Sequence, residues 1–421
     1  MKILEINKFN YSKGGADRHY LEVVKLLKSK GNEVAVFSME SPQNEFSPWK
    51  KYFLSHVGYG KDNTIRQKVK GIFRMFYSRE ARKKINKLLD DFKPEIVHIH
   101  NIYHQLSPTI LFEIKKRKIP VVMTVHDYKL INPNYNLSLR GKFYDRCRNG
   151  KFYECFLDKC VKDSYIKSFL AMFEAYWHQM LGTYEKNINL YLVPSAFVKK
   201  ILKENGISEE KIKIFPHFAE KENLADRTKT SKKGKRINVL YSGRISRDKG
   251  VDQLIDIFKE IPETDLYLAG QIEDGLEIPK FANIKHLGFL NQSELEKSIR
   301  ESAFIVSASR LPETFGLIAL EGMKMGKPFV GYDTGAYGEI VVDNHTGYLC
   351  QNKDELRERI EKLANDEGLR ILFSRNALEQ AKKFDAGKYY TEILDIFKTF
   401  TEKGNNNHIL TPIESPYEQS S

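Results

Sequence analysis

Short apolar runs alternate with helix-length amphipathic stretches along this chain, and the alternation stops once and starts again. Lys2–Asn7, Glu33–Met39, Ile96–His100, Pro120–His126 and Leu190–Pro194 each read as a short buried strand. Between them lie helical stretches such as Ala16–Lys30, closed by Gly31, and an aromatic-rich one from Tyr165 to about Asn187. Residues 226–236, DRTKTSKKGKR, hold no apolar residue and read as a linker. The pattern then resumes: strand Ile237–Ser242, helix Val251–Glu260, strands Asp265–Ala269 and Ile284–Leu287, helix Gln292–Glu301, strand Phe304–Ser307. A helix after Phe315, a strand Pro328–Tyr332 and helices from Lys353 onward complete it. Unalternating apolar strands separated by helices belong to parallel sheets covered on both faces. The fold class predicted is therefore α/β, two doubly wound Rossmann-like domains facing across a cleft, with ligands at the carboxyl ends of the strands. The expected divisions are 1–225, the linker, 237–385, a final helix 386–403 packing back on the N-terminal domain, and a disordered polar tail 404–421.

With 421 residues, 41% of them hydrophobic, the chain has material for two such cores. No apolar run is long enough to span a bilayer, and MKILEIN enters a strand pattern directly rather than a signal sequence. Four cysteines do not make a disulfide framework, which leaves the cytoplasm as the default compartment. The net charge of +13 is lopsided. Residues 1–225 hold 40 Lys and Arg against 24 Asp and Glu, a net of +16, and the rest nets −3. Within 61–93, 11 basic and 4 acidic residues surround Ile72, Phe73, Met75, Phe76 and Tyr77. That stretch fits a solvated basic helix as well as a face for an anionic surface, either lipid headgroups or a phosphorylated substrate. No nucleic-acid-binding motif accompanies it, and nucleic acid is not expected as a partner.

Two motifs in the second half bear on chemistry. YSGRISRDKG (241–250) follows a strand and precedes a helix. Gly243 permits close backbone approach, and Arg244 and Lys249 offer a bidentate clamp and a point charge for a diphosphate. Taken alone, they are equally two surface cations. In PETFGLIALEG (312–322) Glu313 precedes a helix start and Glu321 lies inside it. Continuous helix would separate them by roughly 12 Å of rise and roughly 80° of rotation. Two carboxylates that far apart suit the hydroxyls at the two ends of one extended ligand. The helix N-terminal amides of Phe315, Gly316 and Leu317 between them suit phosphate oxygens.

Glu313, Phe315-Gly316 and Glu321, with Arg244 and Lys249 upstream, resemble the signature of the retaining family-4 glycosyltransferases of GT-B architecture, over roughly residues 1–400. KGGADRHY resembles the family's Gly-Gly loop, placing the amides of Gly14 and Gly15 near donor phosphates; it is not GxGxxG, which argues against a nicotinamide cofactor. PVVMTVHDY resembles the strand ending in the family's His-Asp pair. By that resemblance His126 contacts the donor sugar near the reacting carbon, although a lone strand-end histidine is more often structural. His100, Asn101 and Asp127 are assigned to the acceptor side. His217-Phe218 stands where the family often has Asn-Gly and receives no role; Tyr337 replaces a usual small residue and is expected to narrow the site. Cys147, Cys155 and Cys160 lie in a region that is cysteine-rich in part of the family. They lack a clear fourth ligand for zinc, with Asp145 or His178 as conceivable additions, and are otherwise residues of a packed loop.

The resemblance implies an enzyme that moves a hexose or related sugar from a UDP- or GDP-sugar to a hydroxyl of a glycan or lipid-linked acceptor, with retention. Catalytic roles fall to His126, Glu313, Arg244 and Lys249, with Glu313 assigned neither as nucleophile nor as base. No D-x-D occurs, so no metal or other cofactor is expected to be required. Base recognition is expected around Lys285–Ser293. The charge asymmetry suggests a peripheral position at the inner membrane face and a part in capsule, O-antigen or exopolysaccharide assembly. A glycan phosphorylase and an inactive nucleotide-sugar-binding protein share the architecture and remain as alternatives.

Overall fold

The computed structural model describes residues 1–58, 63–219, 236–273 and 275–402. Most of the expected linker and the whole of the 404–421 tail lie outside them. The strands run, in chain order, β1 (Lys2–Ile6), β2 (Glu33–Phe37), β3 (Ile96–Ile99), β4 (Val121–Thr124), β5 (Ser138–Leu139), β6 (Lys142–Phe143), β7 (Leu190–Val193) and β8 (Ile212–Ile214). They continue with β9 (Ile237–Ser242), β10 (Thr264–Ala269), β11 (Ile284–Gly288), β12 (Phe304–Ser307), β13 (Phe329–Tyr332) and β14 (Gly347–Cys350).

Two compact units result. One comprises Met1–Tyr135, Asp145–Phe215 and, among the described residues, 390–402; the other comprises Asn136–Tyr144 and Pro216–Tyr389. Each is built on a parallel six-stranded sheet, ordered β2-β1-β3-β4-β7-β8 in the first and β11-β10-β9-β12-β13-β14 in the second. In the second sheet successive residues feed separate cores. Phe304 and Val306 join one apolar cluster with Val239 and Leu266, while Ile305 joins another with Leu240 and Phe329. Both faces are thus buried, which is why these strands read as continuous apolar runs. Strand order reverses between β1 and β3 in one sheet and between β9 and β12 in the other. The loops leaving those strands at their carboxyl ends are where an open α/β sheet holds its ligand.

Several boundaries differ from those the sequence pattern suggests. The second unit begins at Pro216 because the residues after it pack there. The Phe218 ring lies 4.4 Å from Tyr389, His217 lies 4.9 Å from Phe315, and Ala219 pairs with Asp385. The β5–β6 hairpin is an excursion from the first unit's chain that counts with the second. The aromatic helix stops at Met180, where the chain turns through Gly182 at φ 58°. The last helix, Ala386–Glu402, counts with the first unit from Tyr390 onward. There Tyr390 Oη accepts from Asn32 Nδ2 at 3.1 Å and the buried Phe397 ring sits 5.6 Å from His98. Cys155 and Cys160 form a disulfide and Cys147 is a buried cysteine outside it, so the three do not present thiolates together to a metal.

Candidate active site

In the second unit, the loop after β9 carries Gly243, Arg244 and Lys249, and the loop after β12 carries Ser309 and Glu313. Gly243 has φ 153°, a value side chains rarely adopt, and its N–H donates to Ala269 O at 3.0 Å. The Tyr241 hydroxyl donates to Arg244 O at 2.6 Å, fixing the peptide while the Arg244 side chain stays half exposed, 3.5 Å from Glu273. Lys249 Nζ donates to Glu313 Oε1, and Ser309 Oγ donates to the same oxygen at 2.7 Å. Burial alone would raise the Glu313 carboxyl; Lys249, Ser309 and Arg244 outweigh it and hold the pKa below the usual value. The strand-end loops therefore bring one cation and one carboxylate into contact and keep a second cation nearby.

The helix that follows is Leu317–Lys324, with Gly316 as its N-cap at φ 99°. A Cβ on Gly316 would lie 2.6 Å from Tyr337 Cε1. Tyr337 does not project into a site as expected: it is buried beneath this turn and donates to Ser307 Oγ at 3.3 Å. Phe315 likewise contributes only backbone, since its ring packs against His217 and Phe384. Glu313 lies ahead of the helix, held by its carbonyl accepting from Ala336 N at 2.9 Å, and Glu321 is buried within it. Glu313 thus precedes the helix and Glu321 lies inside it, as the motif suggests, and the separation of a continuous helix does not apply to the pair. The segment expected to read the base is the edge strand β11 followed by the exposed Phe289 and the helix cap Asn291.

In the first unit, Gly14 caps the helix Gly15–Ser29 in ordinary extended backbone, φ −164°, with open space where a Cβ would stand. Nothing crowds this helix N-terminus from that side. Asp17 in its first turn accepts from Asn7 Nδ2 at 2.9 Å, and burial pushes its carboxyl upward. Asn101, assigned to an acceptor, commits its peptide to the scaffold: its N–H donates to Asn7 Oδ1 at 3.1 Å and its carbonyl accepts from Lys8 N. Asp127 accepts from Lys129 N at 2.9 Å; burial raises its pKa despite Lys8, Lys129 and His104.

Glu5 on β1 is wholly buried, and its carboxylate receives two histidines. His98 Nδ1 lies 3.0 Å from Oε1 and His100 Nε2 3.2 Å from Oε2. His100 Nδ1 then lies 2.8 Å from His126 Nε2, with the two rings stacked at 5.1 Å, and His98 Nε2 meets Thr124 Oγ1 at 2.8 Å. With Glu5 ionised and the histidines neutral, each histidine presents N–H to Glu5, and His100 Nδ1 accepts from His126 Nε2–H. The ligand atoms of Glu5, His98 and His100 lie close enough for a metal, all within 4.8 Å, but they are engaged with one another. Glu5 was legible in principle as the one acid in an apolar strand, and HIH as two histidines on one strand face; their meeting was not.

A model of the family described as "Glycosyltransferase Family 4" matches residues 13–222, and one described as "Glycosyl transferases group 1" matches residues 222–380. An uncharacterized glycosyltransferase of Methanocaldococcus jannaschii is 33% identical over 39% of this chain, a match spanning 48% of that relative's length. The capsular polysaccharide biosynthesis glycosyltransferase CapM of Staphylococcus aureus is 23% identical over 72% of this chain and 80% of its own. Among solved structures, Anabaena HepE in complex with UDP and glucose superposes with a TM-score of 0.64, at 16% identity, over 95% of this chain and 100% of that one. The chain belongs to glycosyltransferase family 4 and has the GT-B fold.

Proposed function

We propose that this glycosyltransferase moves a hexose or related sugar from a nucleoside-diphosphate sugar, UDP- or GDP-linked, to a hydroxyl of a glycan or lipid-linked acceptor, with retention of anomeric configuration. The observation that carries this is the Lys249–Glu313–Ser309 contact, with Arg244 nearby, at the reversal point of the second sheet. Arg244, Lys249 and the N-terminal amides of Leu317–Lys324 receive the diphosphate; Glu313 and Glu321 accept from hydroxyls of the sugar and ribose. The anomeric C–O bond to the diphosphate breaks, the acceptor oxygen bonds the anomeric carbon, and the acceptor's proton passes to the leaving phosphate. His126 accepts from a hydroxyl of the transferred sugar. Charge-assisted hydrogen bonds are worth about 1.5–3 kcal/mol each, and those aimed at the leaving oxygen stabilise the transition state most. In this reading no metal is needed, and EDTA leaves turnover unchanged. The test is turnover of UDP- and GDP-sugars, with the product anomer read by NMR; an inverted product, or phosphate-dependent turnover without nucleotide, contradicts it.

The same reading places the enzyme against an anionic membrane surface, in capsule or related polysaccharide assembly. Ile65, Val69, Phe73 and Tyr77 recur every four residues along the helix Ile65–Phe76 and its C-cap, and all are exposed, Ile65 by 79% and Phe73 by 70%. The neighbouring helix Tyr165–Met180 exposes Ile166, Phe169, Phe173 and Met180, and Phe76 touches Phe173 at 5.4 Å. Arg66 and Lys68 stand beside the stripe. Arg74 does not: it is buried, bonded to Ser55, Gln105 O and Glu80. An apolar stripe with basic flanks suits the headgroup boundary. Among the described residues no helix is long and apolar enough to cross a membrane.

A further inference from the structure

The β5–β6 hairpin leaves the first unit's chain and counts with the second. Leu139 faces Lys142 across it, which leaves Arg140 and Gly141 as a two-residue turn. Both have positive φ, 52° and 74°, the pattern of a type I′ turn. That turn lies against Arg310 of the second unit: a Cβ on Gly141 would stand 3.4 Å from Arg310 Cδ and 3.5 Å from Nη1.

Arg310 sits in the loop after β12, next to Ser309 and ahead of Glu313, and reaches back to the loop after β9. Its backbone N–H donates to Asp248 O at 3.1 Å, Nη1 donates to Arg247 O at 3.2 Å and Nη2 to Asp252 Oδ2 at 3.2 Å. These partners bracket Lys249 in the chain. Gly250, at φ 68°, presses on the same loop: a Cβ there would stand 1.7 Å from Ala308 O. The backbone is thus held on both sides of Lys249 by the loop that carries Ser309 and Glu313. Arg310 divides its planar fork between two acceptors, which the single head of a lysine does not reproduce. Its charge is matched by Asp252, so the guanidinium is engaged in the scaffold rather than offered to a ligand.

We propose that Arg310, covered by the hairpin turn at Gly141, is a positioning residue for the transfer reaction. It holds the Lys249 loop against the Glu313 loop, so that the Lys249 ammonium meets the donor diphosphate from one fixed place. The proposal rests on the reading that Lys249 receives that diphosphate. Placement matters because a stabilising charge acts through its geometry, and a displacement of about 1 Å can cost about 10²-fold in rate. The hairpin turn keeps part of the solvent off the Arg310 contacts, leaving the side chain 25% exposed, which strengthens them.

The test compares wild type, Arg310→Gln, Arg310→Lys and Asp252→Asn in turnover of the UDP- or GDP-sugar that wild type uses, and in hydrogen exchange without donor. Arg310→Gln lowers kcat by about ten-fold or more, while exchange rises over residues 243–250 and stays the same in the strands. Arg310→Lys, which keeps the charge and loses the fork, recovers little of the loss. Because Arg310 acts through Lys249, Arg310→Gln combined with Lys249→Ala stays within about two-fold of Lys249→Ala alone; a merely structural role multiplies the two losses. Asp252→Asn releases the same clamp from its other end and carries the same expectations, so a failure of Arg310→Gln to fold does not end the test. Wild-type kcat in the folded variants, multiplied losses in the double variant, or unchanged exchange over 243–250 overturns the proposal. The exchange arm needs no donor: loosened exchange beside a wild type that turns over no nucleotide sugar supports the clamp and overturns the donor reading instead.

Discussion

Glu5, His100 and His126 form a line of hydrogen bonds from the inside of a sheet to the end of its fourth strand, and a change at its buried end should be felt at the other. Glu5→Gln removes the charge and lets the amide donate, so the tautomer of His100, and through it that of His126, is no longer dictated. The expected result is a fall in kcat of about ten-fold or more and a displaced pH profile, with little change in the donor KM. A drop in melting temperature alone, with the profile intact, would make Glu5 structural. Lys249→Ala should cost about 10²–10³-fold in kcat, the usual penalty for removing one positioned stabilising group. His217 gives a separate handle on stability. Burial depresses its pKa from 6.5 to about 3, so it is neutral in the fold. The unfolded chain takes up that proton first; the stability it contributes is complete above pH 6.5 and is lost as pH falls from there toward 3. His217→Phe should flatten the denaturation midpoint across that window, which urea titrations at several pH values would read.

The elements that position these side chains were legible where pattern and burial agree. β9, β12 and the helices Val251–Glu260 and Gln292–Glu301 have the limits their periodicity implies, because each strand buries both faces and each helix one. The β5–β6 hairpin escaped because two-residue strands carry no period, and β8, three residues at the edge of its sheet, escaped for much the same reason. Glu313 ahead of a helix start and Glu321 inside the helix were legible in the pattern; that the positive φ of Gly316 sets the start between them was not. Gly316→Ala should therefore cost about 1–3 kcal/mol from the backbone conformation, with additional strain against Tyr337, and should weaken donor binding. Tyr337→Ala in the same chain should relieve the steric part but not the conformational one. The exposed stripe yields its own test. Replacing Ile65 and Phe73 with Glu should abolish co-sedimentation with anionic vesicles while leaving turnover of a water-soluble acceptor intact. Equal sedimentation of wild type and variant would remove the membrane assignment.

The two units divide the work unevenly in charge as well as in site residues. The first half of the chain carries the whole basic excess, and the second holds Arg244 and Lys249, the cations proposed to receive the diphosphate, within an otherwise acidic half. Family membership and the doubly wound architecture were readable because the loops that matter leave neighbouring strands at each reversal point, where spacing in sequence translates directly into place. Contacts between distant segments were not readable: Lys249 on Glu313 and His98 on Glu5 depend on tertiary packing. The central claim is that Lys249, Glu313 and Glu321 hold a nucleoside-diphosphate sugar. The most direct check is thermal denaturation with UDP-, GDP-, ADP- and dTDP-sugars, on wild type, Lys249→Ala and Glu321→Ala. A ligand at 100 times its Kd adds about 2.7 kcal/mol, a shift of a few degrees. One base class should stabilise wild type, and the shift should shrink or vanish in both variants. No shift with any nucleotide sugar, or the same shift in all three proteins, would contradict the assignment.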